Sequence, residues 1–509
     1  MKRIVSTLGK LNRGKRAYAV LALCAATAMA LSAQTFTTLH SFEGTDGARP
    51  FAALVQATDG NFYGTSNSGG VEQRGTIFKI SPSGALTKLY DFCTKAKCAD
   101  GSRPGPLVQA SDGDLYGTTP VGPLQAPCPF ANGCGTVFKI TLSGRFTTLH
   151  SFCSAGPPCV DGQTPAAGLL QAADGDLYGT TLYGGGNGTI FKITPSGALT
   201  TLYTFPFPCS PSGCLDGEMP YGGLVQATNG DLYGTTYEGG KHGAGTVFRF
   251  TPSGTLTTLY SFCSGDSCSD GSNPYAGLVQ AVDGDLYGVT DYGGAYSKGT
   301  VFKITPSGTL TTLYSFCVQS GCPDGSQPYG GLVQATNGDF YGATVYGGAN
   351  DSLDCAPYNC GTIFKITPGG ILTTLYSFCG QSQCTDGYNP FAALVQATNG
   401  DFYGTTAAGG VNCSSSGGCG TIFRLSGGLR PFVKTLPTSG DVGQKVYILG
   451  SDLTDAASVK VNGTAANFRV ISSSEIVAMV PAGATTGPVE VVTPRATLSS
   501  NVPFRVLPN

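Results

Sequence analysis

The sequence predicts an all-β chain: a seven-bladed β-propeller, closed by its own N-terminal strand, followed by an immunoglobulin-like β-sandwich. Three observations predict it. A unit built on Leu/Phe-Tyr-Gly recurs seven times, with its tyrosine at Tyr63, Tyr116, Tyr178, Tyr233, Tyr287, Tyr341 and Tyr403 and spacings of 53 to 62 residues. Each unit reads as four short strands, the pattern of a propeller blade. The array also begins with an orphan fourth strand and ends one strand short.

Composition agrees. The 509 residues are too many for one ordinary domain, and 41% of them are hydrophobic. Glycine is abundant (76 residues) and charged residues make up only 12%, which suits short strands and tight turns better than long helices.

The first 33 residues carry Lys2, Arg3, Lys10, Arg13, Lys15 and Arg16, then an apolar run from Ala17 to Ala30, then small residues to Ala33. This is the three-part pattern of a secretory signal, with cleavage expected near Ala30 or Ala33. A lipoprotein reading of Cys24 is weaker, because Leu23 is larger than the residue such signals place there. No later stretch approaches the ~20 apolar residues of a membrane-spanning helix. Removing the signal leaves 23 basic against 31 acidic residues, a net charge of −8 that makes nucleic acid a poor partner.

In each unit the first strand is Leu-Val-Gln-Ala or close to it (Leu54 to Ala57 in the first copy). Asp59-Gly60-Asn61, or an equivalent such as Asn337-Gly338-Asp339, leads to the Tyr-Gly-Thr strand. Asn-Gly or Asp-Gly between apolar runs is a strong hairpin signal, because the turn needs positive φ. The third strand is of the form Gly299 to Ile304 and the fourth of the form Leu310 to Phe316, joined by Pro306-Ser307-Gly308. Apolar residues alternate with Thr, Lys and Ser, the period of two of a strand. The last copy stops after Gly420 to Leu425, whereas the N-terminus supplies Phe36 to Phe42, identical to the internal fourth strand Phe146 to Phe152. Pairing the two ends closes the ring and removes exposed sheet edges.

Strand parity assigns the loops to faces. Turns between strands one and two and between three and four share one side; the links between strands two and three and between blades share the other. Apart from Cys24, the cysteines fall into nine close pairs, all in the second set: Cys93/Cys98, Cys128/Cys134, Cys153/Cys159, Cys209/Cys214, Cys263/Cys268, Cys317/Cys322, Cys355/Cys360, Cys379/Cys384 and Cys413/Cys419. An even number in an exported chain argues for disulfides. Zinc is the alternative, but it wants Cys-x2-Cys spacing or nearby histidine, and after the signal only His40, His150 and His242 remain. Loops this short contribute about 2 kcal/mol each, so they fix loops more than they hold the fold. Rigid loops gathered on one face are where binding usually resides.

The stretches Tyr-Gly-Gly, Gly-Thr-Val-Phe and Thr-Pro-Ser-Gly-x-Leu-Thr-Thr-Leu-Tyr-Ser-Phe, as in Tyr292 to Phe316, resemble the tandem repeats of bacterial GloVer-type (choice-of-anchor) proteins. The resemblance covers residues 35 to 428 and implies an exported or surface protein; it implies no activity. The chain departs from that pattern in ending at Asn509 without an apolar tail. From Leu429 onward cysteine disappears, and Pro437-Thr438-Ser439-Gly440, Val446 to Gly450, Val459 to Gly463 and Glu475 to Pro481 resemble an IPT/TIG domain, which implies an immunoglobulin-like sandwich acting as a spacer or adhesion module. The expected division is signal 1–33, propeller 34–428 and IPT/TIG domain 429–509.

Four sets of residues are candidates for chemistry. Asp46, Asp100, Asp161, Asp216, Asp270, Asp324 and Asp386 open an Asp-Gly-x-x-Pro loop in every repeat; a carboxylate ring would suit Ca²⁺, but an Asp-Gly turn needs these residues for backbone reasons alone. No other cofactor is implied. Aromatics after the proline (Phe51, Tyr221, Tyr275, Tyr329, Phe391) would stack on sugar rings if exposed, although packing between blades is the expected role. Gln56, Gln109, Gln171, Gln226, Gln280, Gln334 and Gln396 are expected to bridge blades or water. The long loops of copies two, six and seven break the repeat, and Asp351 and Asp354 are the acids they offer; copy four adds Glu238, Lys241 and His242, a set suited to acid/base work but more often a plain polar loop.

No Ser/His/Asp order, zinc signature or phosphate loop is readable, and without tryptophan there is no sialidase-type Asp box. The reading ranks a non-enzymatic extracellular binding or structural protein first, with a glycan or cell-surface polymer on the disulfide-bearing face. A polysaccharide hydrolase or lyase comes next, since it needs unlike groups clustered in one pocket. A protein-binding adhesin, which would expose an apolar patch on the C-terminal domain, follows.

Overall fold

The computed structural model describes residues 34–507 apart from 125–127, 129–132, 208–212, 266, 351, 354 and 412–417. The expected signal segment, Cys209, Cys413, Asp351 and Asp354 lie outside the described residues. Seven four-stranded antiparallel sheets follow one another along the chain. In the first blade the strands are Val55–Gln56, Phe62–Ser66, Thr76–Ile80 and Leu86–Asp91. The innermost strand is shorter than the sequence suggests, two paired residues in every blade, because adjacent inner strands converge on the axis and leave little ladder to form.

The seventh blade closes as expected. Thr35–Ser41 pairs antiparallel with Thr421–Ser426, which continues through Phe402–Thr406 to Val395–Gln396. Phe36 stacks on Tyr376 of the sixth blade at 3.9 Å, and Phe42, 1% exposed, meets Phe78 of the first at 5.2 Å. The N-terminal strand thus packs into both neighbouring interfaces.

The repeat residues explain the packing. The glycine after each core tyrosine lies under the phenylalanine of the facing strand: a Cβ on Gly64 would sit 2.6 Å from Phe78 Cζ. Phe78, Phe138, Phe191, Phe248, Phe302, Phe364 and Phe423 are all fully buried as a result. Between third and fourth strands every blade carries a register shift, for example between Val247 and Phe248. Such a bulge re-aims the side chains beyond it.

The C-terminal domain is a sandwich. One sheet joins Lys434–Leu436, Lys445–Leu449, Glu475–Met479 and Phe468–Val470, and the other joins Thr464–Ala465, Ser458–Val461, Val489–Val492 and Thr497–Ser499. Val446, Ile448, Val459, Val461, Ile476, Val489, Val491 and Phe504 form its core. The domain packs on the hairpin-turn face of the propeller. Ser474 Oγ donates to Thr58 O at 3.0 Å, Phe432 N to Thr398 O at 2.9 Å, and Lys434 Nζ to Gln396 O. Burial pushes the Lys434 ammonium down to about 8. The Arg505 guanidinium lies beside Gly230 in the fourth blade, across the ring from these contacts. The domain therefore spans that end of the central channel, and the opposite, disulfide-bearing end is where a ligand can approach.

Candidate binding site at the disulfide-bearing mouth

Two of the repeated residue sets serve the scaffold. Each Asp of the Asp-Gly-x-x-Pro loop meets an aromatic side chain of the preceding fourth strand. Tyr90, Tyr203, Tyr260, Tyr314 and Tyr376 donate to Asp100, Asp216, Asp270, Asp324 and Asp386 at 2.7–2.9 Å. His40 and His150 take the tyrosine's place and meet Asp46 and Asp161 through Nε2 at 2.7 and 2.9 Å. Burial alone would raise the Asp46 carboxyl, but the hydrogen bonds from His40 and the Glu43 backbone hold it below its ordinary value. Among the described residues these carboxylates do not gather into a group of three close enough to share an ion, and each is held by the aromatic side chain beside it.

The glutamines close a belt around the channel. The Oε1 of each accepts from a turn N–H of the preceding blade at 2.8–3.2 Å, from Thr58 N to Gln109 through to Thr398 N to Gln56. Seven such bonds return to their start, as the closed ring requires.

Seven disulfides are described: Cys93–Cys98, Cys128–Cys134, Cys153–Cys159, Cys263–Cys268, Cys317–Cys322, Cys355–Cys360 and Cys379–Cys384. Cys214 and Cys419 are disulfide-bonded too. All lie on the face opposite the C-terminal domain, where they brace the loops around the mouth.

The mouth is built by the residues after the inter-blade prolines. In every blade the residue before that proline takes a positive φ, 56° at Asn273 for instance, and gives its N–H to the preceding blade, there Ala244 O at 2.8 Å. The constraint aims the next side chain at the axis. Tyr221, Tyr275, Tyr329, Phe391 and Phe51 consequently form a continuous arc, with ring centroids 4.8, 4.9, 5.4 and 5.0 Å apart in that order. Blades two and three carry Gly105 and Ala166 at this position, so the arc is open on that side. The rings border a cavity of about 440 Å³. They pack against rings of adjacent blades, and Phe51 and Tyr275 nevertheless remain 39% and 36% exposed.

A second symmetry-breaking feature was not singled out from the sequence. At the position after the second strand the seven blades carry Asn67, Pro120, Leu182, Tyr237, Asp291, Val345 and Ala407. Asn67 and Pro120 line the cavity. Asp291 is wholly buried, and neither carboxylate oxygen has a hydrogen-bond partner of ordinary geometry. Burial raises it to about 7, and its interaction with the Tyr329 hydroxyl offsets only part of the rise. Its charge in turn raises Tyr237, Tyr275, Tyr329 and Tyr346, each already raised by burial. The signal was available as one acid in a column of seven that otherwise carries none; period-two pattern reading passes over it because it lies just beyond the strand.

The remaining sequence candidates divide. Glu238 belongs to the mouth: it faces Glu218, whose carboxyl is raised by burial and by Glu238, and it adds to the burial-driven rise of Tyr221 to about 12. Lys241 and His242 are exposed on the adjoining loop, and no hydrogen bond joins the Glu238, Lys241 and His242 side chains. The three do not form an acid/base cluster.

Residues 25–213, 209–414 and 323–449 match the Gloeobacter/Verrucomicrobia repeat. The chain belongs to that repeat family. Residues 432–506 match the IPT/TIG domain. No curated protein matches the chain. Among solved structures, a fungal alcohol oxidase of the AA5 family in complex with copper is similar over 94% of this chain and 100% of its own, at 12% identity and a TM-score of 0.51. A Bacteroides thetaiotaomicron protein of unknown function is similar over 77% of this chain and 76% of its own, at 14% identity and a TM-score of 0.39. The first likeness concerns the fold. The residues of this family member do not fit a copper centre: among the described residues the only groups of three His, Cys, Asp or Glu side chains close enough to share an ion are Cys134/Cys153/Cys159 and Cys355/Cys360/Cys379, all held in disulfides. No helix of the described residues is long and apolar enough to cross a membrane.

Proposed function

We infer that this is an exported, non-enzymatic binding protein that takes a glycan or similar cell-surface polymer at the disulfide-bearing mouth of its propeller. The observation that carries the reading is the arc of five aromatic rings around a cavity of about 440 Å³. Aromatic faces suit the apolar C–H faces of sugar rings, and a half-exposed ring offers that contact without unfolding anything. The arc is held by prolines, inter-blade hydrogen bonds and braced loops, so little ordering entropy is lost on binding. Its open side at Gly105 and Ala166 leaves a path by which a polymer can leave the mouth.

A screen of the mature chain, residues 34–509, against a glycan array with and without Ca²⁺ tests this reading. Binding that is independent of Ca²⁺ and falls at least tenfold in Tyr275→Ala and Phe391→Ala is the expected result. Binding that survives both substitutions would remove the mouth from consideration.

A further inference from the structure

The mouth is not only aromatic; its two sides differ in charge. On blades four to six the arc is backed by Asp291, Glu218 and Glu238. Across the axis, on blade two, the cavity is bordered by Arg103, and ring side chains are missing there. Asp291 is the unusual member. It is 0% exposed, it sits behind Tyr275 and Tyr329, neither of its oxygens has a hydrogen-bond partner of ordinary geometry, and its interaction with the Tyr329 hydroxyl offsets only part of the cost of burial. An uncompensated buried carboxylate costs stability, so a fold that needed only shape at this point would be better served by Val345 or Ala407, which fill the position in the next two blades. Negative charge behind aromatic faces has a direct use. The face of an aromatic ring is the negative end of its quadrupole, and a carboxylate behind two such faces deepens the potential that attracts a cation in front of them. The same arrangement gives a neutral sugar nothing beyond stacking.

Resting on the reading of the mouth as a saccharide site, we propose that its ligand is a cationic saccharide, an amino sugar whose nitrogen is charged rather than acetylated, with the ammonium group held over Tyr275 and Tyr329 in front of Asp291. Asp291 acts here as a positioning residue, through the tyrosines that separate it from the cavity. The groups facing it are Tyr237, Tyr275, Tyr329 and Tyr346, each raised above the ordinary tyrosine value by burial, with Tyr292 as its chain neighbour. Asp291 is thus the group that changes charge near neutrality, and Glu218 and Glu238 complete the acidic side.

The experiment is calorimetric titration of the mature chain with two glucosamine tetramers, one fully N-acetylated and one N,N,N-trimethylated, between pH 5.5 and 8.5. The trimethylated probe keeps its charge at every pH, so any pH dependence belongs to the protein. The expected result is at least tenfold tighter binding of the trimethylated tetramer at pH 8, weakening as the pH falls through about 7. Asp291→Asn should remove the pH dependence and most of the preference for the trimethylated tetramer, and a cooperative unfolding transition shows that the variant is folded. Equal, pH-independent binding of both tetramers by the unmodified chain would overturn the cationic proposal and leave the saccharide reading standing. A cationic preference that persists in Asp291→Asn would overturn the role of Asp291. Silence with both probes and across the glycan array would overturn the two readings together.

Discussion

The glutamine belt and the aromatic mouth are formed by neighbouring segments of the same seven repeats, yet one is sevenfold and the other is not. Every blade contributes an identical Gln-to-backbone bond to the belt. At the mouth, a few residues earlier in each repeat, five blades contribute a ring and two contribute Gly105 and Ala166. Closing a ring asks the same thing of every blade, so residues that serve closure repeat. Holding a particular ligand asks different things of different blades, so a site shows itself as a failure of repetition. The Asp-Gly-x-x-Pro carboxylates fall on the first side of this division and Asp291 on the second.

The largest effect should come from breaking closure. Phe42 of the N-terminal strand is packed against Phe78 as fully as any internal fourth-strand phenylalanine. Phe42→Ala should cost about 3–5 kcal/mol in chemical unfolding, as expected for an aromatic lost from a well-packed core. A cost no larger than that of a surface substitution would mean that the ring does not depend on its last strand.

The second effect tests the asymmetric side. Asp291 is raised to about 7 in the folded chain from an ordinary 3.8. The folded state therefore holds a proton that the unfolded state has already lost at neutral pH. The stability tied to that proton is full below about pH 4 and falls away as the pH rises through about 7, by an amount on the order of 4 kcal/mol for a shift of this size. Asp291→Asn should accordingly leave stability nearly unchanged at pH 4 and raise it by up to a few kcal/mol at pH 8. A variant less stable than the unmodified chain at pH 8 would show that the carboxylate has a structural partner and is no cost kept for recognition.

How much of this was legible in the sequence follows the same division. The blades, the closing strand, the disulfide face and the sandwich could all be read, because each rests on local patterns repeated many times: Asn-Gly turns, period-two strands and the duplicated Phe-Thr-Thr-Leu-His-Ser-Phe. The structural roles of the repeated Asp and Gln were legible for the same reason. The aromatic arc was not, since whether Tyr275 is buried or half-exposed depends on the width of the channel, a property of all seven blades together. Asp291 escaped because its meaning lies in what surrounds it, four tyrosines drawn from three blades. Glu238, Lys241 and His242 are legible in the sequence only as a polar, irregular loop, a weaker signal than one buried carboxylate in a column that otherwise carries none.

A smaller effect compares the belt with the mouth directly. Gln109→Ala removes the acceptor for Thr58 N, a buried group, and should cost about 1–3 kcal/mol. Tyr275→Ala at the mouth, by contrast, should stay within about 1 kcal/mol, since its ring is already partly exposed and deletion leaves an open surface and no sealed cavity. If the two costs proved equal, or reversed in order, the mouth rings would be scaffold residues and their asymmetry would carry no functional meaning.

The smallest effect separates the two blades in which histidine replaces the tyrosine that meets the loop carboxylate. Hydrogen bonds from His40 and the Glu43 backbone hold Asp46 below its ordinary value despite burial. A lowered folded-state value means that the contribution is present above about pH 4 and disappears as the pH falls further, because only the unfolded chain takes up the proton early. Asp46→Asn should therefore lower stability at pH 6 by no more than about 1 kcal/mol, the range of a partly exposed pair, and the difference should shrink as the pH falls through the acid range. His40→Tyr restores the pairing used by five other blades, and unfolding curves at pH 6 should place it within about 0.5 kcal/mol of the unmodified chain. A larger loss would mean that His40 is doing something its five tyrosine counterparts do not, and the junction between the seventh and first blades would then join the asymmetric side of the molecule.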